Sequence, residues 1–168
     1  VACASMLQGM TAHYLATDSF PISTGDRVLI HAAAGGVGRL LVQLAKLRGA
    51  TVIATAGGPE KCALVKAAGG DHAIDYRAVD FGPEVKRLTA GAGVDCVYDG
   101  VGKETWERGL DVLRIRGSFV LFGAASGPVP PIDPQRLPAA GSLFFSRPTA
   151  GHFMRTHGEL AERMNDIF

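Results

Sequence analysis

Residues 27–46 read RVLIHAAAGGVGRLLVQLAK. An apolar run from Val28 to Ile30 passes through Ala33, Gly35 and Gly38 into a helix-period pattern at Leu40, Leu41, Leu44 and Leu47. A joint stripped of packing side chains lets a strand and the helix after it approach closely. It also leaves the first N–H groups of that helix uncovered. Strand, small-residue turn and helix are therefore expected to form one unit, and the rest of the chain is constrained to pack around it.

The same alternation continues along the chain. Strands are expected at 27–32, 51–56, 72–75, 94–98, 117–122 and 142–146. Helical patterns fill 2–17, 36–48, 59–68, 80–90 and 102–114, and Gly49, Gly69 and Gly91 sit in closing turns. Stretches such as TVIATA, VDCVYDG and SFVLFG are apolar at nearly every position, as strands covered on both faces must be. Strands alternating with helices of this length mean right-handed βαβ crossovers. The expected fold is α/β, a doubly wound parallel sheet (Rossmann fold) of six strands in the order 3-2-1-4-5-6. Residues 123–141 carry five Pro and replace the helix expected before the sixth strand. That loop leaves the carboxyl edge of the sheet, where ligands bind in this architecture. HGELAERMNDIF, near the end, reads as a further helix.

A chain of 168 residues, 47% of them hydrophobic, can bury one substantial core. A formal net charge of +1 argues against nucleic acid or an anionic membrane surface as the partner. No apolar run approaches the ~20 residues that span a bilayer, and VACASMLQGM lacks the basic region of a secretory signal. Cys3, Cys62 and Cys96 have no metal-ligand spacing and suit a reducing, cytoplasmic setting. With no CxxC or HExxH, no metal site is expected. The absence of an initiator Met suggests a piece of a longer protein.

Ala33-x-Gly35-x-x-Gly38 stands where dinucleotide-binding turns carry G-x-G-x-x-G. Gly35 would let the backbone approach a pyrophosphate, Gly38 would let helix and strand pack, and N–H groups around Gly36 and Val37 would face the anion. An NAD site normally offers an acid at the end of the second strand; here Ala56, Gly57 and Gly58 occupy it, followed by Lys61. Space and positive charge suit a 2′-phosphate, which favours NADPH. Glu60 opposes that reading unless it serves the helix dipole.

LQGMTAHYL at 7–15, HAAAGGVG at 31–38, DYR at 75–77, VYDGVG at 97–102 and GSLFFSRP at 141–148 carry a resemblance. The chain resembles the medium-chain dehydrogenase/reductase superfamily, and within it the zinc-free NADPH:quinone oxidoreductase (zeta-crystallin-like) group. The resemblance implies a place near the nicotinamide for Thr11, and a pyrophosphate loop at Ala34, Gly35, Gly36, Val37 and Gly38. It implies a 2′-phosphate pair in Lys61 and Tyr76. It also implies a wall along the nicotinamide at Gly100, Phe122 and Gly123, joined by Ser126 from the Pro-rich loop. Gly100 replaces a residue that is often Ser in that group.

The implied division has residues 1–25 as a linking helix and turn from a catalytic domain not present in this sequence. Residues 26–150 are then the NADP-binding domain and 151–168 a truncated C-terminal helix. The implied activity is hydride transfer from NADPH to a quinone or electron-poor enone, with no catalytic side chain in this half. An enoyl-thioester reductase would share the same half, and a non-catalytic NADPH-responsive binding protein is a third reading. The family's dimers imply pairing through the edge strand 142–146, which is apolar on both faces.

Other residues remain open. His31 suits a core or capping position, or a phosphate contact. Tyr98 and Asp99 suit structure, or contact with a ribose or ring. Trp106 and Cys62 suit packing, although a helix N-terminus can lower a thiol pKa. Arg39 suits solvent or phosphate.

Overall fold

Strands β1 (Arg27–Ile30), β2 (Thr51–Ala56), β3 (His72–Asp75), β4 (Val94–Asp99), β5 (Leu113–Leu121) and β6 (Phe144–Ser146) form one parallel sheet in the computed structural model. Their spatial order is β3-β2-β1-β4-β5-β6, the doubly wound arrangement expected from the sequence. The structure describes residues 2–167, with side chains from Met6 onward; Val1, Phe168 and the Cys3 thiol lie outside the described residues.

Helices α1 (Ala2–Tyr14), α2 (Gly36–Leu47) and α3 (Pro59–Ala67) precede or link the first strands, and α4 (Phe81–Leu88) and α5 (Trp106–Asp111) link the later ones. Short α6 (Arg136–Ala139) and C-terminal α7 (His157–Ile167) complete the chain. Alternation along β1 divides the core. Val28 and Ile30 pack with Tyr14, Leu41, Val42 and Val65, beneath α1, α2 and α3. Leu29 faces the opposite layer with Ile53, Val97, Phe81, Val85 and Leu110, beneath α4 and α5. Both faces of β1, β2 and β4 are therefore dry, which is why their sequences are apolar without alternation.

Four expectations are corrected in detail. The first helix ends at Tyr14 instead of 17, and Leu15–Ser19 widen into a π-turn. The buried Tyr98 hydroxyl reaches the Leu15 and Phe20 carbonyl oxygens at 3.2 and 3.1 Å and holds that wider turn against β4. The helix expected over 102–114 contracts to α5, because the Asp99 carboxylate holds the residues before it in a turn. It accepts from the Val101 and Gly102 N–H groups and the Thr105 hydroxyl. β5 starts at Leu113, not 117: Val94 pairs with Leu113 and Cys96 with Ser118, so Arg114–Gly117 bulge opposite Asp95 alone. Arg116 takes the left-handed conformation there, at φ 58°. β6 is limited to Phe144–Ser146 because Ser142, at φ 54°, turns the chain before it. No helix among the described residues is long and apolar enough to cross a membrane.

Candidate functional site

The turn after β1 is built by backbone hydrogen bonds. The His31 N–H donates to the Tyr98 carbonyl and the Ala33 N–H to that of Thr55, so the chain stays clamped between β4 and β2 beyond the strand's end. Ala32 then turns left-handed at φ 51°, and the Gly35 N–H donates back to its carbonyl at 3.0 Å. Gly35 caps α2 in extended backbone and, having no side chain, leaves the Gly36 and Val37 N–H groups without a capping partner.

The three glycines differ in kind. Gly38 is buried, and a Cβ there would lie 2.6 Å from both the Ala32 carbonyl oxygen and the Ala33 Cα. It is the close-packing position. Gly35 and Gly36 are exposed, and they open the helix end to a ligand. A Cβ on Gly36 would meet Gln8 Cγ of α1 at 3.1 Å. Thr11 lies three residues further along that helix, half-buried, its hydroxyl donating to the Leu7 carbonyl at 2.7 Å. Gln8 was not singled out from the sequence; a lone amide in a helix gives no signal of what it will face.

A hollow of about 210 Å³ joins this turn to the ends of β2 and β3. Ala34 and Gly35 line one side, and Gly57, Lys61 and Tyr76 the other. Residues from three separate stretches of the sequence thus border one space. The Tyr76 ring lies over Gly57, its hydroxyl 2.6 Å from where a Cβ would be. Asp75 fixes the arrangement from behind, accepting from the Gly58 N–H at 2.9 Å and the Arg77 N–H at 3.0 Å. Glu60 stands in the first turn of α3, at the positive end of its dipole.

Tyr76 and Ala32 also border a second hollow, of about 230 Å³, with His31, Thr55, Phe81 and Val101 among its walls. His31 is buried, with Nδ1 2.9 Å from the Thr55 hydroxyl oxygen and its ring edge-on to Phe81 at 4.7 Å. Burial holds its pKa below the ordinary value. The mouth is bridged by Arg108 and Asp80 at 2.8 Å.

Gly100, Phe122 and Gly123, read from the sequence as a wall along a nicotinamide, come together at the ends of β4 and β5. A Cβ on Gly100 would stand 3.0 Å from the Phe122 ring, and one on Gly123 2.5 Å from the Gly100 carbonyl oxygen. These three residues are in direct contact and leave no room for a side chain at position 100 unless Phe122 moves. Ser126 is committed within the loop: its hydroxyl donates to the Val101 carbonyl at 2.9 Å and accepts from the Glu104 N–H at 3.1 Å. Tyr98 and Asp99 are both fully buried and spent on structure. Trp106 packs on the α4–α5 layer, Arg39 is exposed on α2, and burial together with Asp75 pushes the Cys62 thiol up. Among the described residues no group of three or more His, Cys, Asp or Glu is placed to hold a metal ion.

The chain is similar to known reductases in sequence and in fold. A profile of the zinc-binding dehydrogenase family matches residues 36–168. The chain is 44% identical to a 2-haloacrylate reductase of Burkholderia over 97% of its own length and 49% of the relative's. A solved mycobacterial quinone oxidoreductase superposes on the whole chain with TM-score 0.96 and 49% identity, covering 52% of that structure. The Escherichia coli quinone oxidoreductase solved in complex with NADPH superposes on 98% of the chain with TM-score 0.95 and 41% identity, again covering 51% of that structure. The chain spans about half the length of the relatives it matches.

Proposed function

Because the chain belongs to the zinc-binding dehydrogenase family, in the zinc-free quinone oxidoreductase group of the medium-chain dehydrogenase/reductase superfamily, we propose that it is the cofactor-binding half of an NADPH-dependent reductase. The substrate class is a quinone or an electron-poor enone. The observation that carries this reading is the single hollow bordered by the glycine turn, Lys61 and Tyr76. Open N–H groups at a helix N-terminus suit a pyrophosphate, and a lysine beside a phenol suits a phosphate monoester.

When bound, NADPH supplies the hydride. The chain's own residues bind and orient it: Ala34, Gly35, Gly36, Val37 and Gly38 along the pyrophosphate, Lys61 and Tyr76 at the 2′-phosphate. Thr11, Gly100, Phe122 and Gly123 shape the nicotinamide end, and Ser126 holds the loop behind them. Residues 26–150 form the cofactor-binding unit, with 1–25 leading in from a catalytic domain and 151–168 following as the C-terminal helix. A reduced cytoplasmic setting fits the free thiols of Cys62 and Cys96. Phe144, 64% exposed on the edge strand, supports a homodimer formed across 142–146.

Calorimetric titration with NADPH and NADH tests the cofactor assignment, and equal affinities would overturn it. Assay of the protein extended by its preceding segment, with a quinone and with a crotonyl thioester as acceptors, tests the substrate class. Quinone turnover is expected; turnover of the thioester alone would move the assignment to enoyl reduction.

A further inference from the structure

We propose that Arg77 is a second cationic ligand of the adenosine 2′-phosphate, acting beside Lys61 and Tyr76; the inference rests on the cofactor reading above. Its basis is a convergence on one point. The place where a Cβ would stand on Gly57 is 2.6 Å from the Tyr76 hydroxyl oxygen and 3.1 Å from Arg77 Nε. The corresponding point on Gly58 is 3.7 Å from Arg77 Nη1. The guanidinium therefore lies along both glycines, beside the phenol and facing the turn that leads to Lys61.

Two further features favour an anion at this place. Among the described residues neither Arg77 nor Lys61 forms an ion pair, so both are uncommitted cations; Arg39, Arg48, Arg116, Arg147 and Arg155 are unpaired too, but none of them is among the nearest neighbours of Gly57 or Gly58. Asp75, the nearby acid, is turned to the backbone: its Oδ1 receives the Gly58 and Arg77 N–H groups. Those two bonds fix the β2–α3 turn relative to the β3 end, so the cations are held in register before any ligand arrives. A phosphate monoester offers three acceptor oxygens; an ammonium, a phenol and a forked guanidinium can meet all three. Gly57 and Gly58 supply the room, since a side chain at 57 would displace both Tyr76 and Arg77.

The test titrates the unmodified chain, Arg77→Ala, Arg77→Lys and Lys61→Ala with adenosine 2′,5′-bisphosphate and with adenosine 5′-monophosphate. Arg77 is exposed, and its removal is expected to leave the melting temperature unchanged. Arg77→Ala should weaken the bisphosphate by about 10- to 150-fold, as for a lost charge-assisted hydrogen bond, with the monophosphate unaffected. Arg77→Lys should recover part of the loss. Equal weakening of both nucleotides would place the guanidinium on the base and overturn the proposal, as would no change in either. If Lys61→Ala loses the bisphosphate preference and Arg77→Ala keeps it, the cofactor reading stands and the Arg77 assignment falls. If the unmodified chain shows no preference, both fall.

Discussion

Tyr76 closes over Gly57, its hydroxyl oxygen 2.6 Å from the position a Cβ would take. The contact joins the ends of β2 and β3, where an NAD site would carry an acid. Gly57→Ala should therefore act on the ligand more than on the fold. Tyr76 is 53% exposed and free to swing outward, so the melting temperature should barely move. Displacing its hydroxyl and the Arg77 guanidinium should reduce NADPH affinity at least several-fold while NADH affinity holds. Calorimetry with both cofactors measures this, and an undiminished NADPH preference would disprove it.

Gly38→Ala should do the reverse. Its Cβ would press on the Ala32 carbonyl and the Ala33 Cα, which are backbone atoms pinned between β2 and β4. Neither can rotate away. Overpacking of this kind costs about 1–3 kcal/mol, read as a lower midpoint in urea unfolding with the slope preserved. An unchanged midpoint would mean that α2 can lift from the sheet without cost.

These two glycines show what was legible in the sequence. Gly38 could be assigned because strand, turn and helix are contiguous, and a helix three residues past the turn must pack on it. Lys61 and Tyr76 were singled out by charge and resemblance, yet that they border one hollow depends on β2 and β3 lying side by side. Arg77 stayed hidden for the same reason: DYR states a residue order, while the Asp75 bonds that set the Arg77 backbone are a tertiary fact. The β5 bulge was invisible because residues up to 114 read as the end of a helix and the strand was expected only from 117. Only pairing with β4 shows Arg114–Gly117 opposite one residue.

Acidification should weaken the fold through its buried histidines first. Burial is the main cause holding both His31 and His13 below their ordinary 6.5, and Arg163 adds to the effect at His13. Each binds fewer protons folded than unfolded, so stability is complete above about pH 6.5 and declines as pH falls through it, levelling off below the folded value. Burial raises Asp18 and Asp71, but hydrogen bonds from Arg163 and Lys46 outweigh it and hold them below 3.8, so the stability they add is present throughout this range and is lost only as pH falls below 3.8. Melting temperatures should fall between pH 7 and pH 5, and His31→Asn should flatten that slope. A level profile across this range would refute the burial argument.

The edge strand offers a test of assembly. Phe145 stacks on Phe119 at 5.2 Å and belongs to the core, whereas Phe144 points outward. Phe144→Lys should leave the fold intact and convert the proposed dimer to monomer in light scattering, since a charge blocks sheet extension across a two-fold axis. A monomeric unmodified chain at high concentration would remove the dimer.

This chain by itself should bind NADPH and transfer essentially no hydride. The glycine turn, Lys61 and Tyr76 lie within one folded unit, so the adenosine half of the cofactor has its contacts. At the other end Gly100, Phe122 and Gly123 offer a surface, and the Ser126 hydroxyl is already bonded within its loop. Rapid hydride transfer needs an acceptor held against the nicotinamide and water kept out, and one wall supplies neither. The Lys61 contact should give about a 10- to 150-fold preference for NADPH over NADH, the value of a charge-assisted hydrogen bond. Lys61→Ala should erase most of that preference and leave NADH affinity nearly unchanged. Titrations of both cofactors against both proteins decide the first point. Equal affinities in the unmodified chain would sink the Lys61 assignment, and clear quinone turnover by this chain alone would show that its own residues complete the catalytic pocket.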